Sequence, residues 1–248
     1  MGIGFEVRSR LKETPLFRGV RDSTIALLAE AALTITAQAG ETLWPRGHKE
    51  SEVLLLLEGW VGVEAVTWDG GRVLLRLLGP HDVLGPSQPA RSQETPITSV
   101  ALAQCTAVTW RTESWERANG HAKALLANLV VAQARTIGEL ERRCLGLSGD
   151  NVDCRLARML LDLCRTAGHS TGDGVEIDLP LRREDLAGLV GSTLYTISRT
   201  MSRWQRAGWG AGGRKRGVVS PRRARAEMAE GGREESVSAS PVRQANLR

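Results

Sequence analysis

Cysteine is scarce in this sequence, and the spacing of its cysteines excludes the common cysteine-based sites. The 248 residues contain four cysteines, Cys105, Cys144, Cys154 and Cys164. No CxxC pair and no zinc-ligand spacing occurs among them, so neither a zinc finger nor a dithiol redox motif is expected. Cys154 and Cys164 fall within an apolar helical pattern. We therefore expect reduced thiols that pack as small apolar side chains.

Long apolar runs and targeting signals are absent as well. No run approaches the roughly 20 apolar residues of a membrane-spanning helix. The segment from Met1 to Lys12 is mixed and charged, unlike a secretory signal peptide. The sequence thus predicts a cytoplasmic protein without a membrane partner. Its net charge of +5 is a mild basic excess that favours a polyanionic partner.

The first half of the sequence is typical of an antiparallel β-domain. Residues 9–33 have the pattern of short helices, and after them short apolar runs alternate with turn residues up to Trp110. The runs are Leu33–Thr36, Glu52–Leu57, Trp60–Val66, Val73–Leu78 and Thr98–Trp110. Asp69-Gly70 between two of these runs favours a hairpin. Spacing of this kind predicts a compact antiparallel barrel or sandwich.

Residues 115–147 change to helical periodicity. Mostly apolar residues recur there at alternating spacings of four and three, which is an a/d heptad seam. The seam consists of Leu126, Val130, Gln133, Ile137, Leu140, Cys144 and Leu147. The stripe is narrow and flanked by charged residues, which favours a homodimer interface. An ordinary helix packed on its own barrel is the alternative.

A second α-helical segment follows, and then the most informative part of the chain. Residues 152–163 have one apolar face, 168–174 form a polar loop, and 175–179 alternate like a strand. Residues 182–204 then meet the packing demands of a helix-turn-helix: a small residue at the helix crossing, a glycine in the turn and a buried aliphatic residue beyond it. These are Ala187, Gly191 and Ile197. We expect the shared core to consist of Leu186, Val190, Met201 and Trp204, and the second helix to be capped by Thr193.

The second helix of such a motif enters the DNA major groove, where arginine pairs with guanine. We predict that Arg199 reads a base. Contacts to base edges or phosphates are predicted from Ser198, Tyr195, Thr196 and Thr193. Contacts mainly to phosphates are predicted from Arg183, Arg203, Arg214, Lys215 and Arg216.

The charge around this motif supports DNA as the partner. Between Arg182 and Arg225 eleven basic residues face two acidic ones, a net charge of +9. Clustered cations release counterions from DNA and provide affinity that is independent of sequence. Residues 210–219 have the pattern of a hairpin with a basic tip, the wing of a winged helix-turn-helix. The alternative is a generic helical hairpin with a solvated basic loop.

The order of these patterns resembles the Crp/Fnr family of bacterial transcription regulators, over roughly Leu11 to Glu230. The segments similar to the β-roll of that family are Ala39–Leu43, Arg46-Gly47, Leu57–Gly59, Asp69–Arg72 and Leu78–Gly85. Those similar to its recognition helix are Val190–Thr193 and Thr196–Arg199. The resemblance implies a homodimer, DNA binding controlled by an effector, and RNA polymerase as a partner.

The sequence departs from the cyclic-nucleotide binders of the family at three places. Their Gly-Glu pair, whose carboxylate bonds the ribose, is Gly85-Pro86 here. Their arginine for the cyclic phosphate falls at Thr95–Ile97, and a buried phosphate without a cation is costly. Arg91 is a weak substitute. Hydroxyl residues of the long helix are replaced by Leu140 and Glu141. The departures argue against cyclic AMP, although a divergent cyclic-nucleotide pocket is still an alternative.

The iron-sulfur and haem sensors of the family need cysteine or histidine ligands, and the sequence can be searched for them. The iron-sulfur branch needs N-terminal cysteines, and the first cysteine here is Cys105. Haem needs an axial ligand, for which His48, His81 and His121 are candidates. His169 completes the scattered set of four, unlike the clustered histidines of the metal-binding cupins. We therefore expect no metal, no enzymatic activity and no cofactor, with a haem-based gas or redox sensor as the alternative.

The recognition helix also departs from its relatives. Members that read the common half-sites carry glutamate where this sequence has Tyr195, and tyrosine does not accept a hydrogen bond from cytosine N4 in the same way. Arg199 and Ser198 match the family pattern. We therefore expect a guanine contact within a different half-site.

These observations together predict an α+β protein: an N-terminal antiparallel β-roll of jelly-roll type, a long dimerisation helix and a C-terminal winged helix-turn-helix. The predicted domains are a sensor at 1–120, the dimer helix at 121–148, the DNA-binding domain at 149–230 and a disordered tail at 231–248. A hinge is expected at Ser148–Asp150. The effector is predicted to be a small ligand other than cyclic AMP, or to be absent from a constitutive DNA binder.

Overall fold

The computed structural model describes seven parts of the chain, namely residues 3–47, 52–68, 70–84, 97–119, 122–171, 174–208 and 217–219. The chain divides into two compact units, residues 1–140 and residues 141–248. The division falls inside one long helix, and each unit is described by itself below.

The N-terminal unit begins with helices. Helix α1 spans Ile3–Glu13, a 3-10 turn spans Pro15–Phe17 and helix α2 spans Asp22–Ala31. These helices bury apolar residues such as Leu11, Phe17 and Leu28 against the adjoining sheet. This confirms the short helices predicted for residues 9–33.

Two antiparallel sheets follow, as predicted for a jelly-roll-like domain. The strands are β1 (Leu33–Ala37), β2 (Thr42–Trp44), β3 (Glu52–Glu58), β4 (Val61–Val66), β5 (Arg72–Leu78), β6 (Val83–Leu84), β7 (Ile97–Ala101) and β8 (Cys105–Arg111). One sheet has the order β1-β8-β3-β6 and the other β2-β7-β4-β5. The single run predicted at Thr98–Trp110 is thus two strands, which lie in different sheets.

The position of strand β3 explains why its sequence is almost continuously apolar. Leu54 and Leu56 are buried between the two sheets, while Val53, Leu55 and Leu57 are buried under the helices. A strand covered on both faces has no reason to alternate polar and apolar residues. Burial of both faces therefore fixes β3 at the centre of the unit.

Strand β5 carries a bulge opposite β4. Val63 pairs with Arg76 whereas its neighbour Glu64 pairs with Leu74, so β5 contains one residue more than β4 at this point. Cross-strand partners share a face of the sheet. The bulge therefore places Arg76 on the same face as Val63.

Two helices occupy the region where one helical pattern was predicted. Helix α3 spans Thr112–Asn119, and helix α4 spans Lys123–Gly149. Helix α4 has 27 residues, and it ends within the predicted hinge. No described helix is both long enough and apolar enough to cross a membrane.

The C-terminal unit contains helices α5 (Val152–Thr166), α6 (Arg183–Val190) and α7 (Leu194–Arg206). It also contains the strands β9 (Gly168–Thr171), β10 (Gly174–Ile177) and β11 (Gly217–Val219), which form a small sheet of order β11-β10-β9. Strand β9 spans Gly168–Thr171, so the prediction of a polar loop at 168–174 was wrong for its first four residues. Pairing of that segment with β10 (Gly174–Ile177) satisfies its backbone groups despite its polar side chains.

The predicted wing is described in part. Strand β11 (Gly217–Val219) pairs with β10. The basic tip at 210–216 and the predicted tail at 231–248 lie outside the described residues.

The cysteines differ in their exposure. Cys105 and Cys154 are buried, Cys164 is half-buried and Cys144 is exposed. Burial raises the pKa of the Cys105 and Cys164 thiols, which favours their neutral form. The expectation of a packed thiol therefore fits Cys154 better than Cys164.

Candidate DNA-binding surface

The turn between α6 and α7 requires glycine for two reasons. Gly191 has φ +66°, and a β-carbon there would lie 2.6 Å from Cδ2 of Leu147. The Gly191 N–H bonds to the Gly188 carbonyl and the Ser192 N–H to the Ala187 carbonyl, the Schellman pattern of a helix end. The predicted role of Gly191 in a tight turn is confirmed.

Two arginines hold the carbonyl groups of this turn. Arg143, near the end of α4, donates from Nη2 to the Leu189 carbonyl at 2.6 Å. Arg155 of α5 donates from Nε to the Val190 carbonyl at 2.9 Å and from Nη2 to the Gly191 carbonyl at 3.3 Å. Carbonyls at a helix end have no partner within the helix. The arginines therefore fix the turn from two neighbouring helices.

Helix α7 begins as the sequence predicts. The Thr193 side chain accepts a hydrogen bond from the Thr196 N–H at 3.2 Å, which is the expected cap. Ile197 and Trp204 are buried, and the half-buried Met201 lies on the same side of the helix. The buried side anchors α7 on the unit and leaves the opposite side free.

The free side of α7 carries the predicted base-reading residues. Tyr195 is 74% exposed, Arg199 is exposed, and Ser198 and Thr196 are half-buried. Among the described residues Arg199 has no hydrogen-bond or ion-pair partner. A guanidinium in this position is available to a groove-bound guanine.

Asp153 of α5 was not predicted, yet it orients α7. Its Oδ1 accepts a hydrogen bond from Oγ1 of the buried Thr200 at 2.7 Å, and Oδ2 pairs with Arg203. Hydrogen bonds to a charged group are the stronger kind. No sequence pattern pointed to Asp153, because it lies 47 residues from Thr200 along the chain.

The predicted phosphate contacts fall into three groups. Arg183 is exposed in the first turn of α6. Arg203 is exposed but engaged with Asp153, so it reaches a phosphate only as part of that pair. Arg214, Lys215 and Arg216 lie outside the described residues.

The predicted seam on α4 is open to solvent. Its apolar members Leu126, Val130, Ile137, Leu140 and Leu147 are each 45–59% exposed. Gln133 and Cys144 are exposed too. Apolar stripes of this kind mark a partner surface.

Only some of the residues considered above for effector or haem binding belong to the described part of the chain. Gly85-Pro86, Arg91, Thr95-Pro96 and the haem candidates His48 and His121 lie outside the described residues. Ile97 begins β7, and Leu140 and Glu141 are exposed on α4. His81 has φ +75°, a left-handed conformation that is uncommon outside glycine. His169 lies 3.2 Å from a carboxylate oxygen of Glu176 in the small sheet.

Two domain families match this chain. The cyclic nucleotide-binding domain matches residues 34–118, and the Crp-like helix-turn-helix domain matches residues 154–225. The first match covers the two sheets, and the second covers α5 to the wing. Together the matched segments span more than half of the chain.

Two curated relatives of this chain are named as regulators. The "CRP-like cAMP-activated global transcriptional regulator" of Mycobacterium tuberculosis is 24% identical over 204 residues, which cover 80% of this chain and 89% of that protein. The "Global nitrogen regulator" of Synechococcus elongatus is 26% identical over 166 residues, which cover 66% of this chain and 75% of that protein.

Solved structures of regulators share the fold. FixK2 from Bradyrhizobium japonicum has a TM-score of 0.67 at 22% identity, covering 79% of this chain and 96% of that one. The c-di-GMP responsive global regulator CLP of Xanthomonas campestris has a TM-score of 0.70 at 19% identity. The match covers 81% of this chain and 99% of that one. The chain contains a cyclic nucleotide-binding domain followed by a Crp-like helix-turn-helix domain, and α6 and α7 form that helix-turn-helix. It therefore belongs to the Crp/Fnr family of DNA-binding transcription regulators.

Proposed function

We propose that this protein is a homodimeric regulator that reads a specific DNA sequence through α7. The observation that carries the proposal is the outward side of α7, where Tyr195 and Arg199 are exposed on a helix capped by Thr193. A recognition helix needs a rigid buried side and an exposed polar side, and α7 has both.

The exposed seam of α4 supports the homodimer. Burying its five apolar side chains against a second copy removes them from water, which stabilises the pair by roughly 25 cal/mol for each Å² of apolar surface. A two-fold dimer presents two α7 helices to two half-sites about one helical turn apart. The expected DNA site is therefore an inverted repeat.

The effector we propose is not cyclic AMP, or is absent. Pro86 and Thr95 stand where the cyclic-nucleotide binders of the family need a carboxylate and a cation. Activation by cyclic AMP is stated for the Mycobacterium tuberculosis relative, and it does not transfer to a chain with these substitutions. We propose no haem or other cofactor.

Regulation in this proposal acts on the turn of the helix-turn-helix. Arg143 of α4 and Arg155 of α5 both hold the turn, so a change at the end of α4 displaces α7. RNA polymerase is the further partner that family membership implies for a regulator bound at a promoter.

The test is selection of binding sites from random-sequence DNA by the full-length protein at fixed salt, with and without cyclic AMP. We expect a selected inverted repeat that is independent of cyclic AMP. Arg199→Ala should weaken binding by about 1–3 kcal/mol and relax selectivity at one base pair. Arg206→Ala, in the last turn of the same helix, is the matched control and should weaken binding without changing selectivity.

Several outcomes would contradict the proposal. A selected sequence that is the same at every position for Arg199→Ala and the wild type would show that Arg199 does not read a base. Binding that requires cyclic AMP would indicate a divergent nucleotide pocket. A purified protein with a Soret band would instead indicate a haem-based sensor.

A further inference from the structure

A cleft of about 350 Å³ opens in the N-terminal unit beside α4. Its walls are the 3-10 turn near Arg18, the end of β5 at Arg76, the following turn at His81 and Asp82, and α4 from Asn128 to Glu139. Asn128 closes one end, because its side-chain amide donates hydrogen bonds to the carbonyls of Leu16 and Arg18, each at 2.8 Å. The cleft is therefore built from four parts of the unit.

Three arginines line this cleft: Arg18, Arg76 and Arg135. Among the described residues, no carboxylate forms an ion pair with any of them. The Nε atom of Arg76 is buried without a hydrogen-bond partner. A buried donor that lacks an acceptor is costly, and native proteins leave few of them. The cleft thus has basic groups in excess, and among the described residues Nε of Arg76 has no acceptor.

The acidic residues of the cleft do not balance these cations. Glu139 is exposed on α4, and Asp82 already accepts a hydrogen bond from the Gly79 N–H at 2.8 Å. Burial raises the pKa of Asp82, against the opposing effects of the Gly79 N–H, Arg76, His81 and Arg135. Its carboxyl group is therefore ionised less readily than an exposed one. Three guanidinium groups face at most two carboxylates.

We propose that this cleft binds a small anionic metabolite, through carboxylate or phosphate oxygens held by Arg76 and Arg135. Guanidinium groups match both kinds of oxygen with paired hydrogen bonds. The positions differ from those where the family resemblance locates the ribose and phosphate contacts, around Gly85 and Thr95. The arginines proposed to hold the anion are therefore different residues from those of the family's nucleotide contacts.

The position of the site suggests how it acts on the regulator. Arg135 and the seam residue Gln133 both belong to α4 and both line the cleft. An anion between Arg76 and Arg135 ties β5 to α4 next to the predicted dimer seam. This regulatory consequence rests on the proposed function, whereas binding of the anion does not.

The test is calorimetric titration of the full-length protein, without DNA, with citrate or inorganic pyrophosphate at matched ionic strength. We expect saturable binding of at least one of them at one site per chain. Arg76→Gln and Arg135→Gln should each weaken it by about tenfold or more, because each removes a charged donor pair. Arg72→Gln, on the same strand but paired with Glu64, is the matched control and should bind as the wild type does.

The two probes distinguish a carboxylate ligand from a phosphate ligand. Binding of citrate alone assigns the site to carboxylates, and binding of pyrophosphate alone assigns it to phosphates. The absence of saturable binding, or equal losses in Arg72→Gln and Arg76→Gln, would overturn the proposal. If Arg76→Gln fails to fold by circular dichroism, Arg135→Gln on the exposed surface of α4 decides the question. Because no DNA is present, either result leaves the proposed function to its own test.

Discussion

Arg143 and Leu189 are joined by a 2.6 Å hydrogen bond from the guanidinium Nη2 to the backbone carbonyl. The two residues belong to α4 and α6, 46 positions apart in the sequence. The bond ties the end of the long helix to the turn that orients α7. Arg155 holds the next two carbonyls of the same turn from α5. The orientation of the recognition helix is thus determined by residues outside the helix-turn-helix.

Removal of the second arginine should destabilise this turn. Arg155→Met keeps an unbranched stem of similar packing but leaves the carbonyls of Val190, Gly191 and Asp150 without their donor. A fully buried carbonyl without a partner costs about 1–3 kcal/mol. The carbonyls of Val190 and Asp150 are bonded in part-buried positions, so we expect a loss of unfolding free energy of about 1 kcal/mol. Chemical denaturation should measure that loss, together with weaker DNA binding. Arg165→Met on the same helix is the control, since within the described part of the chain the Arg165 side chain pairs only with the exposed Asp162. Equal effects of the two changes would refute the role of Arg155.

Gly191→Ala should be one of the most damaging small substitutions in the C-terminal unit. Its φ of +66° costs a residue with a β-carbon about 1–2 kcal/mol, and the new methyl group meets Leu147. The measurement is the free energy of unfolding. Gly149→Ala is the control, because a β-carbon at Gly149 meets no atom within 4 Å. Adding Leu147→Ala should recover only the steric part of the loss, and full recovery would show that the backbone conformation carries no cost.

Ile137→Glu should separate the predicted dimer. In a symmetric pair the substitution places two glutamates in the same seam, where opposed like charges cost several kcal/mol. Light scattering coupled to size-exclusion chromatography should show the mass of one chain. Arg142→Glu introduces the same side chain on the opposite side of α4 and should leave the dimer intact. A wild-type protein that elutes as a monomer at all concentrations would contradict the seam.

Asp82→Asn should stabilise the protein at neutral pH. Burial raises the pKa of Asp82, so the folded state binds more protons than the unfolded state above the ordinary aspartate pKa of about 3.9. Wild-type stability therefore falls as the pH rises through the raised pKa. Asparagine retains an oxygen for the Gly79 N–H and does not titrate. The Tm advantage of the variant should be present at pH 7 and should vanish below pH about 4; an advantage that does not change with pH would disprove the account.

The sequence was most informative where local geometry demands particular residue types. Gly191 and the Thr193 cap follow from the requirements of a turn and a helix start, and both are confirmed. The apolar runs of β3, β4 and β5 lie within about one residue of the observed strands. Such features depend on neighbours in the sequence, which periodicity can detect.

The features that the sequence did not predict have a common physical cause. Strand β9 is polar and becomes a strand only because β10 supplies hydrogen-bond partners. Asp153, Arg143 and Arg155 contact α6, α7 and the turn between them through partners at least 35 residues away, so these roles emerge only from the tertiary structure. Charged residues on helices look alike in sequence whether they face solvent or hold a turn.

The bulge in β5 decides which side of a sheet carries a positive charge. Because side chains alternate along a strand, one residue more or fewer moves every following side chain to the other face. If β4 and β5 paired without the bulge, Leu75 would lie opposite Val63 and Arg76 opposite Gly62, so Leu75 rather than Arg76 would face the cleft. A shift of one position in strand pairing is thus enough to exchange a basic cleft for an apolar one, without any change in the residues themselves.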